Sequence, residues 1–298
     1  MQNINHFRMS HLEFSLTFVS LNLGSIHNLF IIALVARVLG ITVNSFLLDD
    51  TPVEIIVSVF LLTVTYCVSK GVQGVIHINI MLLPIILVIL FGMFLFAGIH
   101  FDPTEITPVL SEGIIPIFNG SFSTSHPFVG GLYFFFMLMA YFKKEDLRSL
   151  PINLVSVTIP FIYMIIIILS YGVLGFEITK ATTFPLMEVV KTLEVPGGFI
   201  ERLDSIFLTV WILALFTTVT ISMLITVLVI KDEFLKDKKA PLLLPTLVFI
   251  SFILTFFPDN LSELERYSAD LLVPLGFTLT GTALTYGFLT IWLKNNNG

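Results

Sequence analysis

Between residues 28 and 293 the chain is a succession of long apolar runs separated by short charged connectors; Leu82–Ala97, for example, carries no charge at all. An apolar run of roughly 18 residues is long enough to cross the ~30 Å hydrocarbon core of a bilayer as a helix. A soluble fold made from these runs would have too little polar surface to cover itself. Hydrophobic residues make up 56% of the 298 positions and charged residues 12%, where an average soluble domain has about 25% charged residues. The chain is therefore read as an all-α polytopic membrane protein forming a single membrane domain over 1–298.

Eight spanning helices are expected, at 28–48, 53–69, 79–98, 128–142, 152–175, 204–230, 241–257 and 269–293. A further apolar piece, Leu12–Leu23, contains Glu13 and is too short to span as a separate helix. With eight crossings, one side collects Arg8, Lys70, Lys143, Lys144, Arg148, Lys231, Lys236, Lys238, Lys239 and Lys294. The other side has Lys180, Lys191, Arg202 and Arg266. The positive-inside rule makes the first side cytoplasmic and places both termini there. Two extracytoplasmic segments are long. Residues 99–127 lack Lys and Arg and hold a short helix near Pro108–Phe118; residues 176–203 contain Phe184-Pro185 followed by an amphipathic helix.

Polar groups within membrane spans are costly, so their positions are the best internal clue to a site. In the last span Thr278, Gly281, Thr282 and Thr285 share one helical face. The sixth span carries Thr217, Thr218, Thr220 and Ser222. Such residues let membrane helices approach closely, or they line a small-molecule cavity. Gly130-Gly131, followed by Tyr133 and Phe134, opens a short span. It is expected to interrupt that helix and free backbone groups for a substrate's carboxylate or amine, the alternative being simple helix entry or close packing. Arg37 lies mid-run in the first span and needs a carboxylate, carbonyls or a water-filled path. Asp49-Asp50-Thr51-Pro52 forms a tight turn into the second span, with proline near its first turn.

Soluble-enzyme motifs are absent from the sequence: no phosphate-binding glycine loop, no His-Glu-x-x-His, no G-x-S-x-G. The six histidines are scattered, and the single cysteine, Cys67, excludes an internal disulfide. Neither an enzymatic role nor a cofactor or metal site is read.

Four stretches resemble one family. Phe46-Leu47-Leu48 with Thr51-Pro52 is similar to a signature of the permease-like B subunits of GerA-type spore germinant receptors, in the amino acid–polyamine–organocation superfamily. Ala36–Gly40 resembles that family's upstream arginine run, with Ile41 where an acidic residue is usual. Phe184–Lys191 and the stretch from Phe199 through Asp204 and Phe207 to Trp211 match two further signatures. The resemblance covers roughly 28–293. It implies a LeuT-like inverted-repeat fold with a small-molecule pocket between the first helices of each repeat. Residues 128–293 would form a complete second repeat and 28–98 a partial first one. Leu12–Ser25 would be the opening half of the first helix, with some tens of residues missing before the third.

The function so implied is an integral-membrane subunit that senses a small nutrient such as an amino acid, together with A-type and C-type partner subunits, in the spore inner membrane. Its ligand-binding residues would be Gly130, Gly131, Tyr133 and Phe134 at the break, Thr217 and Thr218 opposite, and Thr278, Gly281 and Thr282 on the last helix. An amino-acid permease and a truncated, non-functional remnant stand as alternatives.

Overall fold

The computed structural model describes residues 11–107, 113–123, 125–139, 149–193, 203–232 and 240–296. The expected basic connector Lys143–Arg148, most of Lys231–Lys239, the stretch Phe199–Arg202 and the start of the Pro108–Phe118 helix lie outside them. The described residues contain helices and no strand. They are α1 (His11–Phe46), α2 (Val53–Ser69), α3 (Gly71–Ile99), α4 (Ile115–Ser123), α5 (His126–Met139) and α6 (Ser149–Leu174). There follow α7 (Phe176–Ala181), α8 (Pro185–Thr192), α9 (Leu203–Ile230), α10 (Leu243–Thr255), α11 (Leu261–Tyr267) and α12 (Val273–Asn296). Each expected span falls on one of these helices. Leu23–Phe46, Gly71–Ile99, Leu150–Leu174 and Leu203–Ile230 are long and apolar enough to cross a membrane, while α2 and α10 are shorter apolar helices. The molecule is an integral membrane protein.

The 36-residue α1 is roughly 54 Å long at 1.5 Å per residue. Leu12–Leu23 makes no separate crossing; it joins the first span in one unbroken helix. Gly24 does not stop it, because a mid-helix glycine costs only about 1 kcal/mol. Asn44 organises the exit from α1. Its Nδ2 donates to the carbonyls of Leu48, Asp49 and Thr51 at 3.1, 3.2 and 3.0 Å, so the Asp49–Pro52 turn closes around one amide.

The third helix begins eight residues before the expected start at 79, directly after Lys70, with Gly71 at φ 75° making the reversal. Its polar first turns remain helical because they bond their own backbone. His77 Nδ1 lies 2.7 Å from the Gln73 carbonyl, and Asn79 Nδ2 donates to the Val75 carbonyl at 2.7 Å. Beyond α3, the Asp102 N–H donates to the Gly172 carbonyl at 2.8 Å, and the Phe101 ring occupies the space a side chain at Gly172 would need.

The amphipathic helix expected after Phe184-Pro185 is α8. It buries Met187, Val189 and Val190 and holds a 2.9 Å Lys191–Glu188 ion pair on its outer side. At the other end of the sequence, α11 and α12 are joined by one π-helical stretch, Ser268–Leu272. Pro274 lacks the N–H that would bond Asp270, and its ring would press on that carbonyl. The wider turn, with the Val273 N–H on the Ser268 carbonyl, accommodates the proline without a break.

Three cores hold the bundle. One is built from Ile32, Leu39, Val57, Val64, Val219 and Met223 between α1, α2 and α9. Another joins α3, α6, α8 and the start of α9 through Phe94, Leu169, Val190 and Leu208. The third closes α5 against α9 and α12 through Tyr133, Met137, Ile225, Val229 and Leu279.

Candidate functional site

The structure runs α5 as a continuous helix from His126 to Met139, through both Gly130 and Gly131, so the expected interruption is absent. Two adjacent glycines raise the cost of a helix by about 2 kcal/mol relative to alanines. Unwinding them would strand several backbone groups in an apolar setting, at a larger cost each. What the short span contributes is a side chain. Tyr133 is 4% exposed, and its hydroxyl lies over Gly24 of α1, where a Cβ would overlap it. Gly24 is thus where the Tyr133 side chain of α5 reaches the backbone of α1.

Around that point α1 buries three polar side chains in four positions: Ser25 at 5% exposure, His27 at 0% and Asn28 at 1%. The His27 ring meets Tyr133 edge-on, with centroids 6.4 Å apart and planes at 89°. Asn28 lies one turn beyond Gly24, hence on the same side of α1. Its Nδ2 has no hydrogen-bond partner among the described residues. Tyr133 also packs with Ile225, Val229 and Leu279, which brings α9 and α12 to the same junction. A buried amide donor left without a partner costs about 1–3 kcal/mol, which marks Asn28 as a candidate site residue. The junction brings the amide of Asn28 onto the stretch of α1 where the His27 and Tyr133 rings meet. That set suits a small polar group such as an amide.

The remaining expected residues are dispersed. Gly131 is exposed, with nothing within 4 Å of the position a Cβ would take. Gly130 and Phe134 lie within α5, their surroundings outside the described part. Thr217 and Thr218 both donate to the Ala214 carbonyl, at 2.7 and 3.1 Å, and Thr218 is exposed. They sit eight and seven residues before Ile225, roughly 10–12 Å along α9. Thr278, Gly281 and Thr282 face outward; the two hydroxyls donate to Pro274 and Leu279 carbonyls at 2.8 Å each, while Leu279 and Thr280 are the buried neighbours. Of the nine, the structure brings Tyr133 to the junction. His27 and Asn28 were missed as site residues. The available signal was three polar positions packed beside Gly24 inside an apolar helix.

Arg37 finds carbonyl and ring partners. Its Nη2 donates to the Asp259 carbonyl at 3.1 Å, and its guanidinium lies 5.2 Å from the Phe256 ring centroid. It ties α1 to the α10–α11 connector. No group of three or more metal-ligating side chains occurs among the described residues.

Comparison with known proteins converges on one family. A family model described as spore germination protein (spore permease) matches residues 16–264. Spore germination protein YndE of Bacillus subtilis (strain 168) is 29% identical over 229 residues, 75% of this chain and 61% of the relative. Spore germination protein B2 of the same organism is 27% identical over 88% of this chain and 67% of its own length. Spore germination protein GerLB of Bacillus cereus is 22% identical over 88% and 70%. The chain thus spans about two thirds of the length of these relatives. No solved structure matches.

Proposed function

The chain belongs to the spore germination protein family, and on that premise we propose that it is the permease-like membrane subunit of a germinant receptor. In this reading it binds a small nutrient such as an amino acid at the α1–α5 junction. Bound ligand shifts an equilibrium between helix arrangements in proportion to its preference for one of them. A-type and C-type subunits carry the response onward, and the chain itself catalyses no reaction. It resides in the spore inner membrane with both termini cytoplasmic, in keeping with the Lys and Arg distribution. Residues 28–98 serve as a partial first repeat and 128–293 as the second.

The observation that carries the reading is the buried polar junction. Asn28 has a buried amide donor with no partner among the described residues, one turn along α1 from the glycine that the Tyr133 hydroxyl covers. Membrane proteins retain such groups where a ligand or ion must be held.

The experiment is equilibrium binding and uptake of a panel of labelled L-amino acids, using the full chain in proteoliposomes. Saturable binding without net flux, weakened at least tenfold by Asn28→Leu, is the expected result. Saturable binding with net flux would make the chain a transporter. Binding of no amino acid, with or without partner subunits, would overturn the reading.

A further inference from the structure

A cavity of about 460 Å³ opens where α1, α6 and α9 meet the α7–α8 connector. It falls within the ~300–1,000 Å³ range of small-molecule sites and is far larger than the voids close packing leaves. Thr42 of α1 lines it, fifteen residues beyond His27 and so roughly 22 Å along the helix from the α1–α5 junction.

Thr42 is 0% exposed, and its Oγ1 has no hydrogen-bond partner among the described residues. That sets it apart from the other fully buried helix hydroxyls. Thr220, Thr226, Ser251 and Thr255 each donate to the carbonyl four residues back, at 2.7–2.9 Å. A buried helix hydroxyl has that bond within reach at only slight cost to the helix. Thr42 leaves it unmade, and Thr42 is the residue that α1 contributes to the cavity lining.

The rest of the lining states what would fit. Ser170 donates to Ile166 and Thr179 to Ser170, at 2.8 and 3.0 Å, so these hydroxyls have only acceptor lone pairs left for a guest. Phe184, Phe207 and Trp211 supply aromatic surface, and among the described residues no charged side chain lines the space. A charged or zwitterionic molecule would lose its hydration there with no counter-charge. We propose that this cavity is a second ligand site, taking an uncharged, largely apolar small molecule that hydrogen-bonds to the Thr42 hydroxyl.

The test uses the full chain in lipid nanodiscs with Trp292→Phe, which leaves Trp211 as its single tryptophan. The probe is 4-bromobenzyl alcohol, an uncharged heavy-atom quencher with one hydroxyl. Quenching of Trp211 is expected to saturate. Thr42→Val should raise the half-saturating concentration about fivefold, the worth of one neutral hydrogen bond. Thr183→Phe, on the exposed connector lining the cavity, should abolish saturation and guards against a folding defect in the first variant.

Quenching that rises linearly as in bulk partition, or saturates alike in all three proteins, would overturn the proposal. Nanodiscs of lipid brominated along the acyl chains form a second arm. Strong quenching before any alcohol is added would place lipid in the cavity and also overturn it; unchanged emission supports a site closed to the bilayer. Thr42→Val should leave amino-acid binding at the α1–α5 junction unchanged, so failure here and failure of the receptor reading are separable.

Discussion

The apolar stretches of α6 and α9 have the same mean hydropathy, 2.5, yet 50% of the α9 window is buried against other helices and only 6% of the α6 window. Hydropathy measures how well a side chain leaves water and is indifferent to whether lipid or protein receives it. The difference between the two helices lies in what their polar residues do. On α9 Thr220, Ser222 and Thr226 are buried at 0%, 4% and 0%, where small hydroxylated side chains let neighbours approach. On α6 Ser156 and Thr158 face outward and only Ser170 near its end is buried; hydroxyls on both helices bond their own backbone, so burial is what differs. A membrane helix is therefore placed in its bundle by the burial of its small polar residues.

The sharpest way to break that comparison is to add bulk to each helix. Val219 of α9 is 0% exposed and Val157 of α6 is 70% exposed. Val219→Trp should cost about 3 kcal/mol or more by overpacking and abolish the folded peak in size-exclusion chromatography. Val157→Trp should leave the thermal midpoint within a degree or two. Equal damage from both would mean that the outer face of α6 is packed in the native assembly.

The next contrast is between two glycines. Gly24→Ala would drive a methyl into the Tyr133 hydroxyl, whereas Gly131→Ala meets nothing within 4 Å. The first should lower the unfolding midpoint by the equivalent of about 1–3 kcal/mol, and pairing it with Tyr133→Ala should restore much of the loss. The second should be neutral or stabilising by up to about 1 kcal/mol.

Arg37 and Arg266 make a smaller test. Arg37→Met removes an exposed charged hydrogen bond to the Asp259 carbonyl, expected to cost about 1 kcal/mol. Arg266→Met removes an exposed 3.3 Å ion pair with Glu263 and should cost under about 1 kcal/mol. Detergent-solubilised thermal midpoints check both.

The smallest effect is at Asp102, in the connector after α3. The Thr104 hydroxyl and N–H bonds hold its carboxyl below the usual carboxylate range. A depressed folded value means that stabilisation is complete above the unfolded value and is lost as pH falls through the folded one. Thr104→Val should remove one of the two bonds and move that loss to higher pH, read as the pH dependence of the midpoint below about pH 5.

Much of the fold was legible because length and apolarity mark the segments that become apolar helices, and among the described residues each expected span falls on a helix. The start of α3 was missed because His77 and Asn79 look like connector residues, yet bond their own backbone. Less of the site was legible. The spacing of Thr278, Gly281 and Thr282 defines a helix face but carries no information about which way it points, and in the structure it points outward. Gly130-Gly131 offered a break that α5 does not make. Tyr133 was identifiable, but its neighbours Gly24 and His27 lie more than a hundred residues away. Only the fold, which lets the Tyr133 side chain reach α1, brings them together.

The most direct test of the account is the nutrient dose–response of spores carrying Tyr133→Phe or Asn28→Leu, with Gly131→Ala as control and chain abundance in spore membranes measured in parallel. The account predicts that both junction variants raise the half-maximal nutrient concentration at least tenfold at unchanged abundance, and that Gly131→Ala does not. Wild-type dose–responses from both junction variants would contradict it.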